Sequence, residues 1–316
     1  MQMKSFLFAA SFAPQMLATA GLSLLLAACQ SAAPLMPPQP LVAAHRGGTG
    51  DGPENTLPSL QASLKNGADL LWMTVQVSRD GVPVLYRPAD VAALTDGKGA
   101  VNTLTLAQLQ ALNAGYQYSE SDTAGTKTYP YRQQPVMMPT LRAALRSLPV
   151  ATPLLIDLKQ LPAEPLVTAV ANVVEQEHAW QRVRFYSTDA EVLALMARYA
   201  HAQVFESRDA TRERLVRMAF NGGACEPPAA GVWAGIELVR KVSVVEKFTL
   251  GEGVSEVTAH WWTPAALQCF RSGKAVKVMV FGVDSEAAYR EAQQLGVDVV
   301  MTDSPARMNA LRKMSR

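Results

Sequence analysis

Short apolar runs alternate with amphipathic helical patterns from Leu41 to the end of the chain, and this alternation is what most limits the fold. Runs at 41–44, 70–77, 82–86, 154–158, 183–186, 202–205, 275–281 and 297–301 read as strands. Patterns at 54–66, 105–113, 140–148, 164–177, 190–199, 211–220, 263–271, 286–295 and 305–314 read as helices. Strands that each feed a helix argue for a parallel sheet covered by helices. About eight such units over roughly 270 residues fit one closed (β/α)8 barrel of the TIM type better than an open doubly wound sheet. Three stretches depart from the pattern. Arg79-Asp80-Gly81 turns 70–77 into 82–86, which reads as a hairpin-like extension. Residues 115–135 are polar and rich in Tyr, Ser and Thr, and read as a surface excursion. Residues 222–257, with Pro227-Pro228 and scattered glycines, read as irregular, with one strand that the pattern does not place.

The first forty residues stand outside this series. Lys4 gives a small positive start, and residues 6–26 are apolar or small almost throughout. That is a secretory signal. It ends in Leu26-Ala27-Ala28-Cys29, which resembles the lipobox of bacterial lipoproteins, with residues 1–28 removed and Cys29 acylated. An ordinary signal peptide, or an anchor about long enough to span a bilayer, are the other readings; small residues directly before a cysteine favour lipidation. Gln30, rather than Asp, follows the cysteine. By resemblance to lipoprotein sorting, this points to the outer membrane, facing the periplasm. Residues 29–40 carry Pro34, Pro37, Pro38 and Pro40 and read as an extended tether, so the folded domain is expected at 41–316. Cys225 and Cys269 remain; they either pair in an oxidising compartment or are two unrelated buried thiols. A formal charge of +2 gives no ground for a nucleic acid partner.

The chemistry-bearing residues begin directly after the first apolar run. His45-Arg46-Gly47-Gly48 is followed by Pro53-Glu54-Asn55-Thr56: a base, a fixed cation, a permissive backbone and a carboxylate. Further on come Gly67-Ala68-Asp69, Asp80-Gly81-Val82-Pro83-Val84, Ile156-Asp157-Leu158-Lys159, and Met301-Thr302-Asp303-Ser304-Pro305. In this order the pieces resemble the glycerophosphodiester phosphodiesterases across residues 41–316. The resemblance implies a phosphodiesterase barrel of the phospholipase-C-like type. Its site would sit at the C-terminal mouth and act on a small phosphodiester in lipid metabolism. It also implies a Ca2+ or Mg2+ ion held by a Glu-x-Asp pair and a third-strand Glu, with two histidines moving protons.

Several of these positions are altered here. His45, Arg46 and Glu54 are retained. The Glu-x-Asp pair falls on Trp72 and Thr74, and the second His-Asp pair on Arg87 and Pro88. Asp157 replaces the third-strand Glu, with Lys159 retained beside it. Too few charged oxygens remain for a hard cation, so no metal or other cofactor is expected. In its place Arg46, Arg87 and Lys159 are expected to hold the phosphate, with His45 and Arg46 catalytic and Glu54 and Asp157 supporting. Metal-free cleavage with an arginine in the cation's role has an analogy in the related barrel of bacterial phosphoinositide-specific phospholipases.

Blander readings accompany each residue. His45-Arg46 could brace the first loop, Glu54 could serve a helix N-terminus, and Asp157 and Lys159 share a strand face and could form a simple ion pair. Trp72 either forms a stacking wall for a choline-like or sugar-like group or fills the volume left by the metal. His178 and His201 read as surface residues; His260, before Trp261-Trp262, either reaches the mouth or, as is favoured, has a structural or packing role. The function expected is a lipid-anchored phosphodiesterase. The alternatives are a catalytically inactive phosphodiester-binding protein and an envelope scaffold with its function on surface loops. No protein partner is indicated.

Overall fold

The structure, a computed structural model, describes residues 37–220 and 222–314. The expectations for the signal segment, Cys29 and most of the tether lie outside the described residues. Among the described residues no helix is long and apolar enough to cross a membrane. The strands are β1 (Leu41–Ala44), β2 (Leu70–Val77), β3 (Pro83–Leu85), β4 (Glu120–Ser121), β5 (Lys127–Thr128), β6 (Leu154–Leu158), β7 (Val183–Tyr186), β8 (Trp233–Glu237), β9 (Val239–Phe248), β10 (Gly251–His260), β11 (Lys277–Phe281) and β12 (Val299–Thr302). The helices are α1 (Leu57–Lys65), α2 (Leu106–Gln110), α3 (Leu141–Ser147), α4 (Ala163–Gln176), α5 (Ala190–Met196), α6 (Arg208–Phe220), α7 (Pro264–Ser272), α8 (Glu286–Leu295) and α9 (Pro305–Met314).

Parallel pairing runs β7–β6–β2–β1–β12–β11–β8. The strand expected at 202–205 shrinks to two bridging residues that close the ring. Val204 pairs with Phe185 and Phe205 with Trp233. The Phe205 amide donates to the Phe185 carbonyl at 2.9 Å, and the Glu206 amide to the Trp233 carbonyl at 2.8 Å. The result is the TIM-like α/β barrel the alternation implies.

The alternation within each strand sorts its residues between two environments. Every residue of β2 is buried. Leu71, Met73, Val75 and Val77 pack outward against α1, α3 and α4, where Leu60, Leu141, Leu166 and Val170 meet them. Leu70 and Trp72 point to the barrel axis, with Leu155, Tyr186, Phe205 and Phe281. Each fully buried side chain of this size contributes about 1.5–3 kcal/mol.

Three local expectations are corrected. First, α1 starts at Leu57 and not at 54, because Asn55 sits at φ 58°, outside helical space. Glu54 is therefore a loop residue, not a first-turn carboxylate. Second, 222–257 is not largely irregular. Beyond β8, β9 and β10 form a hairpin of ten cross-strand pairs, from Phe248–Gly251 to Val239–His260, paired to no other strand among the described residues. Its valines suit a strand, and Thr249-Leu250 makes the connection without the usual turn residues. Third, the end of the expected tether already lies on the barrel. Pro40 is buried, and the Gln39 side-chain amide donates to the Arg312 carbonyl at 3.3 Å.

Residues 115–135 carry the small exposed β4–β5 hairpin and one 3-10 turn, Pro130–Arg132. The cysteine alternative resolves as a disulfide. Cys225 and Cys269 are joined, with Cα atoms 5.5 Å apart, so that the segment after α6 is tied to α7 across the β8–β10 excursion.

Candidate active site

His45 follows β1 directly, at the end of the barrel where the parallel strands finish. The chain turns sharply there, with Arg46 at φ 50° and Gly47 and Gly48 at φ 80° and 83°. A Cβ on Gly48 would also lie 3.0 Å from Pro305 and from the Ser63 hydroxyl, so only glycine fits. The turn is held from both sides. Ser63 donates to the Gly47 carbonyl at 2.7 Å, and the Gly50 amide donates to the Asp303 carbonyl at 2.7 Å.

That anchoring sets His45 Nδ1 2.6 Å from Asp303 Oδ1. Asp303 is positioned in turn by Asp284, whose Oδ1 accepts from the Asp303 amide at 2.6 Å and from the Thr302 hydroxyl at 2.8 Å. The hydrogen bond from His45 holds the Asp303 carboxyl below its ordinary value of 3.8. An ionised carboxylate only accepts, so Nδ1 carries the proton. Nε2, which makes no hydrogen bond with the described residues, is left for chemistry. This is a histidine oriented by a carboxylate. Sequence reading missed the roles of Asp303 and Asp284, because 258 residues separate His45 from its partner.

Arg46 pairs with Glu54 at 2.5 Å, both side chains being largely buried at 20% and 12% exposure. Asn55 ties this loop to β2: its Oδ1 accepts from the Thr74 backbone amide at 3.0 Å, and its backbone N–H donates to the Arg46 carbonyl at 2.7 Å. The Thr74 hydroxyl lies 3.4 Å from Asp157 Oδ2. Asp157 Oδ1 is 3.4 Å from Lys159 Nζ but makes no hydrogen bond, so that pairing is ionic only. Lys159 donates instead to the Thr188 hydroxyl at 2.9 Å. Burial pushes the Asp157 carboxyl above 3.8, in spite of Lys159.

Trp72 does not line a ligand wall. It is 3% exposed, with ring centroids 5.0 Å from Tyr186, 5.5 Å from Phe281 and 6.3 Å from Phe205. It fills the barrel beneath the mouth, and its Nε1 finds no acceptor among the described residues. Burial pushes the Tyr186 phenol up to about 12. On the far side of the ring Arg208 donates to Glu237, a pair with no sequence signal of its own.

The three expected phosphate-binding cations are only partly brought together. Arg87 is exposed and makes no hydrogen bond or ion pair with the described residues. It lines a cleft of about 550 Å³ with Lys159, Gln76, Asn102 and Thr188. Gln76 braces the turn that carries Arg87 and Pro88, donating to the Tyr86 and Pro88 carbonyls at 3.1 and 2.8 Å. Arg46 stays with Glu54 outside that lining. His178 and His201 are exposed, and His260 is an exposed residue 3.4 Å from Glu291. Among the described residues no three His, Cys, Asp or Glu side chains gather closely enough to hold a metal ion.

Residues 45–307 match the model of the glycerophosphoryl diester phosphodiesterase family. The chain belongs to that family. It is 48% identical over 266 residues to protein Rv2277c of Mycobacterium tuberculosis, covering 84% of this chain and 87% of that one. The crystal structure of the glycerophosphoryl diester phosphodiesterase domain of Rv2277c matches with a TM-score of 0.80 at 46% identity, over 87% of this chain and all of that domain. An Oleispira antarctica phosphodiesterase, solved with the product sn-glycerol-3-phosphate, shares the fold at 21% identity, with a TM-score of 0.63 over 87% of this chain and 97% of that one.

In this family member two mouth carboxylates have opposite electrostatics, which gives a test of the geometry. Asp157, raised above 3.8, is protonated more readily in the folded chain, so its effect is to raise stability as pH falls from neutral towards 3.8. Asp303, held below 3.8, contributes stability that is lost as pH falls below that value. In thermal melts across this range, Asp157→Asn should flatten the upper window and Asp303→Asn the lower one. Identical pH profiles for both variants and the parent would contradict the arrangement.

Proposed function

We propose that this protein hydrolyses small glycerophosphodiesters of lipid origin with His45 as its acid/base and without a resident divalent cation. The observation that carries this reading is the His45–Asp303 pair at the barrel mouth. Nε2 takes a proton from the attacking water as the new P–O bond forms. Asp303 steadies the imidazolium, and the same ring returns the proton to the alkoxide as its bond to phosphorus breaks. Arg87 and Lys159 face the phosphate from the cleft, and Arg46 adds positive potential beside His45. Substrates of this class are supported by the sn-glycerol-3-phosphate seen in the Oleispira phosphodiesterase.

The donors do not suit a hard cation. Trp72 and Thr74 stand at the expected Glu-x-Asp positions, Glu54 is bound to Arg46, and Asp157 is the one remaining carboxylate in the set. A Ca2+ ion takes six to eight oxygens, more than this set of side chains offers.

A second reading, binding without turnover, is favoured by one feature: Arg87 is free and exposed where the resemblance expects a second histidine. Turnover of glycerophosphocholine decides. The parent should hydrolyse it, and His45→Ala should lower kcat by about 10²- to 10⁴-fold. No turnover by the parent, with saturable binding weakened in Arg87→Ala, selects the second reading. Absence of both turnover and binding removes both.

We also propose that the chain is anchored through an acylated Cys29 in the bacterial outer membrane, facing the periplasm. The support is the Leu26-Ala27-Ala28-Cys29-Gln30 sequence and the Cys225–Cys269 disulfide, a bond suited to an oxidising compartment. Labelled palmitate should be incorporated into the parent and not into Cys29→Ala; equal labelling of the two would sink the anchor.

A further inference from the structure

The opposite end of the barrel holds a cationic cavity that the mouth does not use. It has a volume of about 350 Å³ and lies beneath the N-terminal ends of β6, β7 and β8, lined by Leu155, Gln181, Arg182, Arg184, Gln203 and Trp233 among others. None of its lining residues is acidic. Arg184 projects inward from β7 by the same alternation that turns Val183 and Phe185 out to the helices.

The Arg184 guanidinium is fixed on two sides. It lies 4.8 Å from the centre of the Trp233 ring, and one of its amino groups donates to Gln203 Oε1 at 2.7 Å. Its remaining N–H groups make no hydrogen bond with the described residues. Arg182 spends its two amino groups on neutral carbonyls, those of Pro149 at 2.9 Å and Leu145 at 2.5 Å. Among the described residues neither arginine forms an ion pair, whereas Arg142, Arg146, Arg208, Arg214 and Arg312 each meet a carboxylate. Burial without a counter-charge accordingly lowers both, Arg184 to about 10.

A partly buried arginine that is oriented and meets no carboxylate can receive an anion from solution. Its planar fork matches a phosphate or carboxylate through two parallel N–H···O bonds. The Trp233 stack holds the fork in place before the ligand arrives, so little order is lost on binding. We propose that this cavity is a second anion site, in which Arg184, aided by Arg182, binds the phosphate group of a small phosphomonoester, of inorganic phosphate or of a lipid headgroup. The site is separate from the mouth and does not depend on the reading of its chemistry.

Isothermal titration of the purified protein with inorganic phosphate, and co-sedimentation with phosphatidylglycerol vesicles, test this. In an Arg87→Ala background, which removes the free cation of the mouth, phosphate binding should persist. Adding Arg184→Gln should weaken it at least tenfold. Arg184→Lys keeps the charge and removes the fork, and should give an intermediate loss even where the glutamine variant fails to fold. Vesicle binding that depends on Arg184, without binding of free phosphate, supports the same site with a headgroup as its ligand. Phosphate and vesicle binding that are both absent, or both unchanged in the Arg184 variants, overturns the proposal.

Discussion

The pairing of the first strand with the last is the constraint on which the site depends. β1 and β12 meet in parallel over four residues, Leu41 with Val299 through Ala44 with Thr302. The next residue on each is then His45 and Asp303. Closure of the ring therefore sets the 2.6 Å contact that orients the imidazole. A one-residue slip would turn each side chain to the other face of its strand. Asp51 reinforces the closure, because its carboxylate accepts from the Ser304 hydroxyl at 2.5 Å and from the Ala306 amide at 2.9 Å at the start of α9.

Packing inside the barrel decides what the rest of the mouth can do. Trp72 rests on Tyr186, Phe205 and Phe281 directly below the strand ends. Aromatic contacts of this kind add about 0.5–1.5 kcal/mol each beyond the area they bury. The indole thus gives the mouth an apolar floor. The nearby carboxylates of Glu54 and Asp157 are each matched by one cation, Arg46 and Lys159. Breaking a buried pair costs about 3–5 kcal/mol, so the Arg46–Glu54 pair holds the loop in place, while Lys159 steadies the strand end and still faces the cleft. Arg87, with no such pairing among the described residues, meets an incoming anion most freely, with Lys159 beside it in the cleft.

Much of this was legible in the chain. The strand-helix alternation gave the barrel, and the His45–Asn55 run marked the mouth, because both are local patterns. Asp303 was visible within a motif but not as a partner of His45, since only ring closure joins them. Trp72 could not be assigned between wall and filler, because strand register settles which side of the sheet an indole reaches. The β9–β10 hairpin was hidden by its own irregularity: Val244-Val245 breaks the alternation, and Thr249-Leu250 is not a recognised turn pair. The Arg184 cavity left no signal, since an unpaired cation is defined by the carboxylates missing around it in three dimensions.

The central claim is that the mouth works through an oriented histidine and fixed cations, with no divalent ion. The most direct measurement is the initial rate of glycerophosphocholine hydrolysis by protein stripped with EDTA, compared with the same protein supplied with Ca2+ or Mg2+. The account predicts equal rates. Activity lost on stripping and restored by either ion would contradict it.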